Sequence, residues 1–593
     1  MVKPKKILNN ADESVEEFIE GLLLQYPNHL QRLDQHHVLL AAQRDEGCVQ
    51  LISGGGSGHE PSHAGWIGQG MLSAAVCGGI FASPSVAAVL AAIRAVAKTP
   101  NAQGVLLIIK NYTGDRLNFG VAAERANLSV GVPVRTIVVA DDCALPRQKG
   151  VTGARGVAGT VLVHKITGAA ASAGLSLDQC HEIAQRVCAR IGTLGIALNT
   201  VTVPGASSVN ERLADDQTIE IGLGIHGEAG LNQSKIMTAD EMAAEMVGTI
   251  QDYGRVAEDK AIIPFLQPGD EVVILVNNLG GTSNFEMSIL ARSCVKILEG
   301  TGYQVKVTRV LVGSYMTSFD MHGASLTIMN VTEQEDLLKY LDTPCTAPAW
   351  TRCDVWDTTT ARPSATRVVE AIESEAALSM KLPPLGMSNF SETAQKVLQS
   401  AVAALQQAEP LLTKYDTIVG DGDCGLTMKR GATHILQELQ NGKLSTDHPV
   451  TLFSDLSKAV SASMGGTSGI LLELLLGKIA STLAKQEQTE ISQTSLAQAF
   501  MEGVMAVQLY GGATVGSRTM LDALVPAADT WISGATLSAV AQAAREGADG
   551  TAAMVTASAG RSNYLSEESL QGTPDPGAVA VALVFEACAA AVV

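Results

Sequence analysis

VQLISGGGSGHEPSHAG, residues 49–65, passes from a largely apolar run into a glycine-rich turn carrying two histidines and a glutamate. The same passage recurs along the first half of the chain. Val105–Ile109 leads into KNYTGD, Arg135–Val139 into ADDCALP, Val272–Val276 into NNLGG and Val307–Val312 into GSYMTS. Such runs, separated by helical stretches such as Pro84–Ala97, predict parallel strands in α/β layers. Ligands of such layers sit beyond the carboxyl ends of the strands, where these turns fall. A break near Pro204 divides this half into two lobes, about residues 1–195 and 196–342.

At 593 residues the chain exceeds the usual domain size, so more than one domain is expected. Apolar residues reach 46% while aromatics stay at 4%, so small aliphatic side chains must do the packing. The formal net charge of −19 argues against nucleic-acid binding, which needs a basic footprint. It still permits an anionic ligand at a metal-loaded site. The ten cysteines form no C-x-x-C pair, which speaks against zinc sites and redox dithiols. The basic start MVKPKKILNNADE lacks the apolar core of a signal peptide. Pro84 and Arg94 interrupt the run Ala74–Ala97, and Glu586 interrupts Gly577–Val593, so neither reads as membrane-spanning. A cytoplasmic protein with no membrane partner is the expectation.

From Thr343 to Met387 the texture turns to Pro, Thr and Ala, and reads as a linker partly ordered through Trp350 and Trp356. Beyond it the spacing is helical. Ser391 is the expected cap of a helix with Ala394, Val397, Leu398, Ala401, Val402 and Leu405 on one face. Similar patterns recur at Phe453–Met464, Leu496–Leu509, Met520–Ile532, Thr536–Ala548 and Ala578–Ala591. Residues 388–593 are therefore expected to be all-helical.

Within that region YDTIVGDGDCGLTMKRG, residues 415–431, crowds Asp416, Asp421 and Asp423 into one turn. Carboxylates so close repel unless a cation lies between them, and a hard cation suits oxygen ligands. The Ca²⁺-loop spacing fails, because the twelfth position from Asp421 is Ala432. Mg²⁺ shared with substrate phosphates fits better than a solvated acidic turn. No Walker A sequence occurs. Backbone N–H groups of MGGTSG (464–469), YGGATVGSRTMLD (510–522) and PDPGA (574–578) could face phosphate instead, with Arg518 as a basic partner. Taken singly, such turns are more often plain helix ends.

GLGIHGEAG, residues 222–230, has the form G-x-G-x-x-G, but no helical pattern follows until about Thr238. The dinucleotide reading is therefore rejected. What remains is His226 among glycines, with room for a substrate. His59, Glu60 and His63 follow one strand, and Lys110, Asp115 and Arg116 another, adding acid–base groups at strand ends.

SGGGSGHEPSHAG, KNYTGDRLNFG, GLGIHGEAG, NNLGG, GDGDCG, MGGTSG and the GSRTMLD and DPGA turns together resemble the ATP-dependent dihydroxyacetone kinases, in their fused, triokinase/FMN cyclase-like form. The resemblance runs in order over nearly the whole chain. It implies an N-terminal α/β dihydroxyacetone-binding domain of two lobes and a C-terminal all-α barrel of antiparallel helices that binds ATP. It implies that His226 holds the substrate as a covalent hemiaminal, that Asp115 is the general base and that His59 assists. Gly56, Ser57, Gly58 and Lys110 would line that pocket. Two Mg²⁺ ions would sit on Asp416, Asp421 and Asp423. Nucleotide contacts would fall on Asp423, Cys424, Gly425, Leu426, Thr467, Ser468, Gly511, Thr519, Met520, Asp575, Pro576 and Gly577. Leu426 and Thr467 depart from the family's usual residues, at positions where backbone contacts suffice.

This chemistry is coherent. An imidazole that attacks a carbonyl selects dihydroxyacetone or D-glyceraldehyde over glycerol, which has no carbon to attack. A second metal can supply the charge of the missing Walker lysine. The resemblance also implies a homodimer in which each helical domain serves the other subunit, across a linker of about 40 residues that spans roughly 35 Å. The fused chain speaks for ATP as direct donor rather than a phosphoprotein. Two other readings compete. One is an FAD-AMP lyase that forms cyclic FMN with Mn²⁺ in the same nucleotide site. The other is a non-catalytic regulatory protein, against which the intact His226, Asp115 and aspartate trio argue.

Overall fold

A computed structural model describes residues 5–147, 153–206, 211–213, 215–256, 261–351, 354–355, 382–486 and 490–592. The chain forms two compact units, Met1–Val369 and Glu370–Val593.

The first unit contains two six-stranded sheets. One is built from β1 (Leu30–Arg32), β2 (Val38–Ala41), β3 (Gln50–Ser57), β4 (Ala74–Ile80), β5 (Val105–Lys110) and β6 (Val134–Val139), in the order β1-β2-β4-β3-β5-β6. The pairs β3–β4, β3–β5 and β5–β6 are parallel, while β1 and β2 close one edge antiparallel. Helices α1 (Ser14–Gln25), α2 (Val86–Ala97), α3 (Thr113–Asn127), α4 (Thr160–Ser172) and α5 (Leu177–Cys188) pack against it. Strands β3 and β5 are buried along their whole length, as strands covered on both faces must be.

The other sheet departs from the expected parallel layer. It comprises β7 (Ile191–Ala197), β8 (Thr218–Ile221), β9 (Asn232–Lys235), β12 (Glu271–Asn278), β13 (Lys306–Gly313) and β14 (Gly323–Asn330), with a separate ribbon of β10 (Arg255–Val256) and β11 (Ile262–Ile263). Only β12–β13 is parallel; the remaining pairs are antiparallel. Helix α7 (Asn284–Glu299) supplies the crossover between β12 and β13. Residues 314–322, between β13 and β14, are too few for a parallel return. Helices α6 (Ala239–Tyr253) and α8 (Glu335–Asp342) complete the unit. Capping boxes at Ser176, Thr238 and Ser283 start α5, α6 and α7. The second sheet already begins at Ile191, so a lobe boundary at 195–196 would cut through β7.

The second unit is helical: α9 (Phe390–Val419), α10 (Cys424–Gln440), α11 (Pro449–Ser463), α12 (Gly466–Ala484), α13 (Gln493–Gly511), α14 (Leu521–Ile532), α15 (Leu537–Gly550), the short α16 (Glu567–Leu570) and α17 (Pro576–Val592). Consecutive helices from α9 to α15 pack side by side, and α17 closes the ring against α15 and α9. The result is an antiparallel barrel. Alanines 523, 527, 544, 548, 578 and 582 lie in its core, so small side chains do pack these helices. The apolar periodicity does not mark α10 and α12, which open inside the turns GDGDCG and MGGTSG. Asn389, not Ser391, stands at the cap of α9; Ser391 lies in its first turn, with Oγ 3.0 Å from Thr446 Oγ1. Helix α12 is long and apolar enough to cross a membrane, with mean hydropathy 1.3, and packs between α11 and α13 in the barrel wall.

Both ends of the expected linker belong to the units. Ala349 N–H donates to Gly65 O, and the Trp350 ring packs 6.3 Å from that of Trp66. Gly386 N–H donates to Ile491 O. Trp356 lies outside the described residues.

Candidate active site

Three segments of the first unit converge. The end of β3 and the turn after it bring Gly56, Ser57, Gly58 and His59. The end of β5 and the first turn of α3 bring Lys110, Tyr112 and Asp115, and the loop from β8 to β9 brings His226. His226 Nε2 stands 3.1 Å from His59 Nε2. The outer nitrogens are anchored: His59 Nδ1 lies 2.8 Å from Thr317 O, and His226 Nδ1 lies 2.6 Å from Glu228 Oε1. The rings of Phe81 and Tyr112 meet His226 edge-on, at centroid distances of 4.9 and 4.8 Å. Lys110 and Asp115 meet beside Gly55, where a Cβ would stand 3.1 Å from Lys110 Cε and 3.6 Å from Asp115 Oδ2. Gly58, at φ +118°, leaves no room for a side chain between Phe81 and Phe319.

Three expectations are refined. Ser57 Oγ donates to Gly78 O at 2.8 Å, so its hydroxyl is engaged by β4. His63 meets His164 at 3.0 Å in the buried core, and Arg116 is exposed. The G-x-G-x-x-G loop joins two antiparallel strands, so it offers no helix N-terminus to a pyrophosphate.

Burial sets the charges. Desolvation, then the charges of Lys110 and His226, drive His59 well below the ordinary histidine range, so it is neutral. Desolvation lowers Lys110 against the pull of Asp115 and Glu228. Desolvation raises Asp115 against the pull of Lys110 and a hydrogen bond from Ser83. Among the described residues, buried Asp115 Oδ1 has no hydrogen-bond partner. A carboxylate with a raised pKa and a free oxygen can take a hydroxyl proton.

In the second unit, Asp416 occupies the last turn of α9, Gly422 turns the chain at φ +83°, and α10 opens at Cys424. Asp416 Oδ2 accepts the N–H groups of Asp423 and Cys424 at 2.8 and 2.9 Å. Oxygens of Asp416, Asp421 and Asp423 lie within 4.8 Å of one another. An all-oxygen set at this spacing fits a hard divalent cation. Asp421 also pairs with Arg561, at 3.0 Å.

The expected nucleotide residues fall at helix ends. Cys424, Gly425 and Leu426 open α10, and Thr467 and Ser468 open α12. Thr519 and Met520 precede α14, while Pro576 and Gly577 open α17 behind Asp575. Because barrel neighbours alternate in direction, these N-termini share one end, where free backbone N–H groups suit phosphate. The α14 and α17 starts touch: a Cβ on Gly577 would lie 3.7 Å from Met520 Cβ. Gly511, the last residue of α13, reaches the same end. Desolvation raises Asp575 to about 6. Arg518 is a correction. It is wholly buried and donates to Thr573 O at 2.5 Å and Leu570 O at 3.3 Å. Its guanidinium clamps the loop before Asp575 instead of reaching for phosphate.

Sequence reasoning missed Glu228, Tyr112, Phe81, Phe319 and Arg561 as members of these sites. Glu228 and Tyr112 stand inside quoted motifs, so adjacency was a signal for them. Phe81, Phe319 and Arg561 arrive from distant segments and carry no local signal.

A pocket with two facing histidines on an α/β unit, and a carboxylate triplet among helix starts on an all-helical one, is the architecture of a two-domain small-molecule kinase. Residues 20–349 match the Dak1 domain and residues 418–590 the DAK2 domain. The chain is 41% identical over 592 residues to the triokinase/FMN cyclase of Homo sapiens, covering 98% of each. It is 35% identical over 618 residues to the dihydroxyacetone kinase of Pichia angusta, again covering 98% of each. The crystal structure of the dihydroxyacetone kinase from C. freundii in complex with AMP-PNP and Mg²⁺ matches with a TM-score of 0.62 at 33% identity, covering 99% of both chains. The chain belongs to the dihydroxyacetone kinase family.

Proposed function

We propose that this protein transfers the γ-phosphoryl group of ATP to dihydroxyacetone, and accepts D-glyceraldehyde in the same pocket. The observation that carries this reading is the 3.1 Å approach of His226 Nε2 to His59 Nε2, beside the buried Asp115 carboxylate. His226 Nε2 attacks the carbonyl carbon and holds the substrate as a hemiaminal. Asp115 takes the proton of the hydroxyl that receives phosphate. Asp416, Asp421 and Asp423 hold two Mg²⁺ ions, and the helix starts around them bind the phosphates. When bound, Mg²⁺ neutralises charge on the transferring group. The relative crystallised with AMP-PNP and Mg²⁺ supports this nucleotide and metal. A homodimer in which each helical unit serves the other subunit belongs to the same proposal, on family resemblance.

The test is ADP release with ATP and Mg²⁺, with and without dihydroxyacetone. ADP formed only in its presence is the expected result. No turnover with either triose would overturn the reading.

Relatives named triokinase/FMN cyclase support a second reading, FMN cyclisation in the same nucleotide site, for which the family resemblance implies FAD as substrate and Mn²⁺ as metal. It would use the same carboxylates and no residue of the histidine pocket.

A further inference from the structure

Residues 314–322, the loop from β13 to β14, bear on both histidines of the pocket. Thr317 O faces His59 Nδ1 at 2.8 Å, and Thr317 N–H donates to His59 O at 3.2 Å. Ser318 Oγ donates to Ile225 O, next to His226, at 2.5 Å. Phe319 N–H donates to Gly58 O at 2.9 Å. The Phe319 ring packs on Phe81, with centroids 5.2 Å apart, and Phe81 packs on His59 and His226 at 5.0 and 4.9 Å. The loop thus ties the strand ends of one sheet to the His226 loop of the other. It does so in an unfavourable conformation. Phe319 sits at φ +49°, in the left-handed region that a bulky side chain rarely adopts. Such a residue persists only where its surroundings hold it.

Part of that hold comes from outside the pocket, from residues 5–13 ahead of α1. Lys5 and Ile7 are exposed, while the Lys6 side chain between them is only 14% exposed. Its ammonium lies 3.0 Å from Asp320 Oδ2 and 5.4 Å from the centre of the Phe319 ring. Asp320 Oδ1 also accepts Thr202 N–H at 3.0 Å, and Oδ2 accepts the Thr202 hydroxyl, which joins the loop after β7 to the same point. Burial would raise Asp320, but the hydrogen bonds of Thr202 and Lys6 and the charge of Lys6 outweigh it and hold the carboxyl below its ordinary range. The segment is itself anchored. Asn9 Nδ2 donates to Glu17 Oε1 at 2.9 Å, and Val15 and Ile19 fix α1 in the core. Ala11 lies beside Gly205, where an added Cβ would stand 3.0 Å from Ala11 Cβ.

We propose that residues 5–13 form a strap across the outer wall of the substrate pocket, and that Lys6 is a positioning residue for the carbonyl addition. By pinning Phe319 and Asp320, it fixes how His59 and His226 face each other. The inference rests on the proposed attack by His226. Lys6 touches no substrate. It acts on the addition, which needs His226 Nε2 aligned on the carbonyl carbon, and not on the phosphoryl transfer that follows on substrate already bonded. A partly exposed ion pair adds little to overall stability, so its loss should show in the geometry of the pocket and not in global unfolding.

Three variants of the full chain test this. Lys6→Met keeps the apolar stem and removes the charge. Lys6→Arg keeps the charge, and Asp320→Asn keeps an acceptor for Thr202 N–H. Misplacing a reacting atom by about 1 Å costs about 10²-fold, and a loosened loop should cost part of that. Lys6→Met should raise the KM for dihydroxyacetone about tenfold, with kcat and the KM for ATP unchanged. Lys6→Arg should restore the wild-type KM. Asp320→Asn should match Lys6→Met, and the double variant should be no worse than either. A lower kcat at unchanged KM, or effects that add in the double variant, overturns the positioning role. Hydrogen exchange at the amides of Ser318, Phe319 and Met321 in the free protein decides the strap whatever the activity. Faster exchange in Lys6→Met, reversed in Lys6→Arg, supports it, and equal exchange overturns it. A wild type that releases no ADP with dihydroxyacetone overturns the kinase reading and the positioning role with it, while the exchange rates still decide the strap.

Discussion

Asp416 Oδ2 accepts the backbone N–H of Asp423 at 2.8 Å and so ties the end of α9 to the start of α10. One carboxylate thereby shapes the turn that presents the other two. Asp416→Ala should lower both metal affinity and stability, the latter by about 1–3 kcal/mol for stranded N–H groups. Asp421→Ala, at an exposed position, should lower metal affinity with unchanged thermal unfolding. Mg²⁺ titration of ADP release beside a melting curve separates the two.

His226→Ala should abolish dihydroxyacetone-dependent ADP release and leave any FAD cyclisation at wild-type rate, because the two substrates need different groups. Asp421→Ala should abolish both. Assaying both variants on both substrates checks the division; a His226→Ala protein with full kinase activity removes the covalent mechanism.

Gly224 is set among Glu228 and Arg155, and a Cβ there would overlap Glu228 Oε2 and Arg155 Nη1. Gly224→Ala should push Glu228 out of line and misplace the His226 ring. A shift of about 1 Å at a reacting atom costs about 10²-fold, so kcat/KM for dihydroxyacetone should fall on that order. Nucleotide affinity, measured by calorimetry, should not change.

Asp141 is buried and accepts N–H groups of Val157 and Gly159 and the hydroxyl of Thr193. Desolvation nevertheless raises it from 3.8 to about 6. The folded state therefore holds this proton more tightly than the unfolded state does. Its contribution to stability is full below pH 3.8 and is lost as pH rises to about 6. Asp141→Asn should flatten that part of the stability-against-pH curve, read by denaturant unfolding at a series of pH values.

Arg518 binds two backbone carbonyls from the protein interior. Arg518→Met should destabilise the second unit by about 2–4 kcal/mol and loosen the Asp575 loop, raising the KM for ATP. Arg518→Lys should restore it in part at most, since both carbonyls are reached by Nη2 at the far end of the guanidinium and an ammonium presents its donors with different reach and geometry. Unfolding and ATP kinetics on both variants decide this.

Much of the fold was legible because it is locally encoded. Five β-branched runs became β3, β5, β6, β12 and β13, and Thr238 capped α6 where its spacing pointed. The antiparallel half of the second sheet was not legible. A strand's direction depends on the connection that returns to it, not on its own residues. Helices α10 and α12 were hidden because their first turns carry glycines that read equally well as loops.

The sequence by itself determined the aspartate triplet. Three carboxylates within eight positions need only one turn, set by a few backbone angles, to come together. It likewise determined which turns carry histidine, lysine and aspartate at strand ends. Only the tertiary structure decided that His59 and His226, 167 positions apart, face each other, and that Arg518 turns inward. Such pairings follow from sheet order and close packing across the whole unit, and no local spacing encodes those.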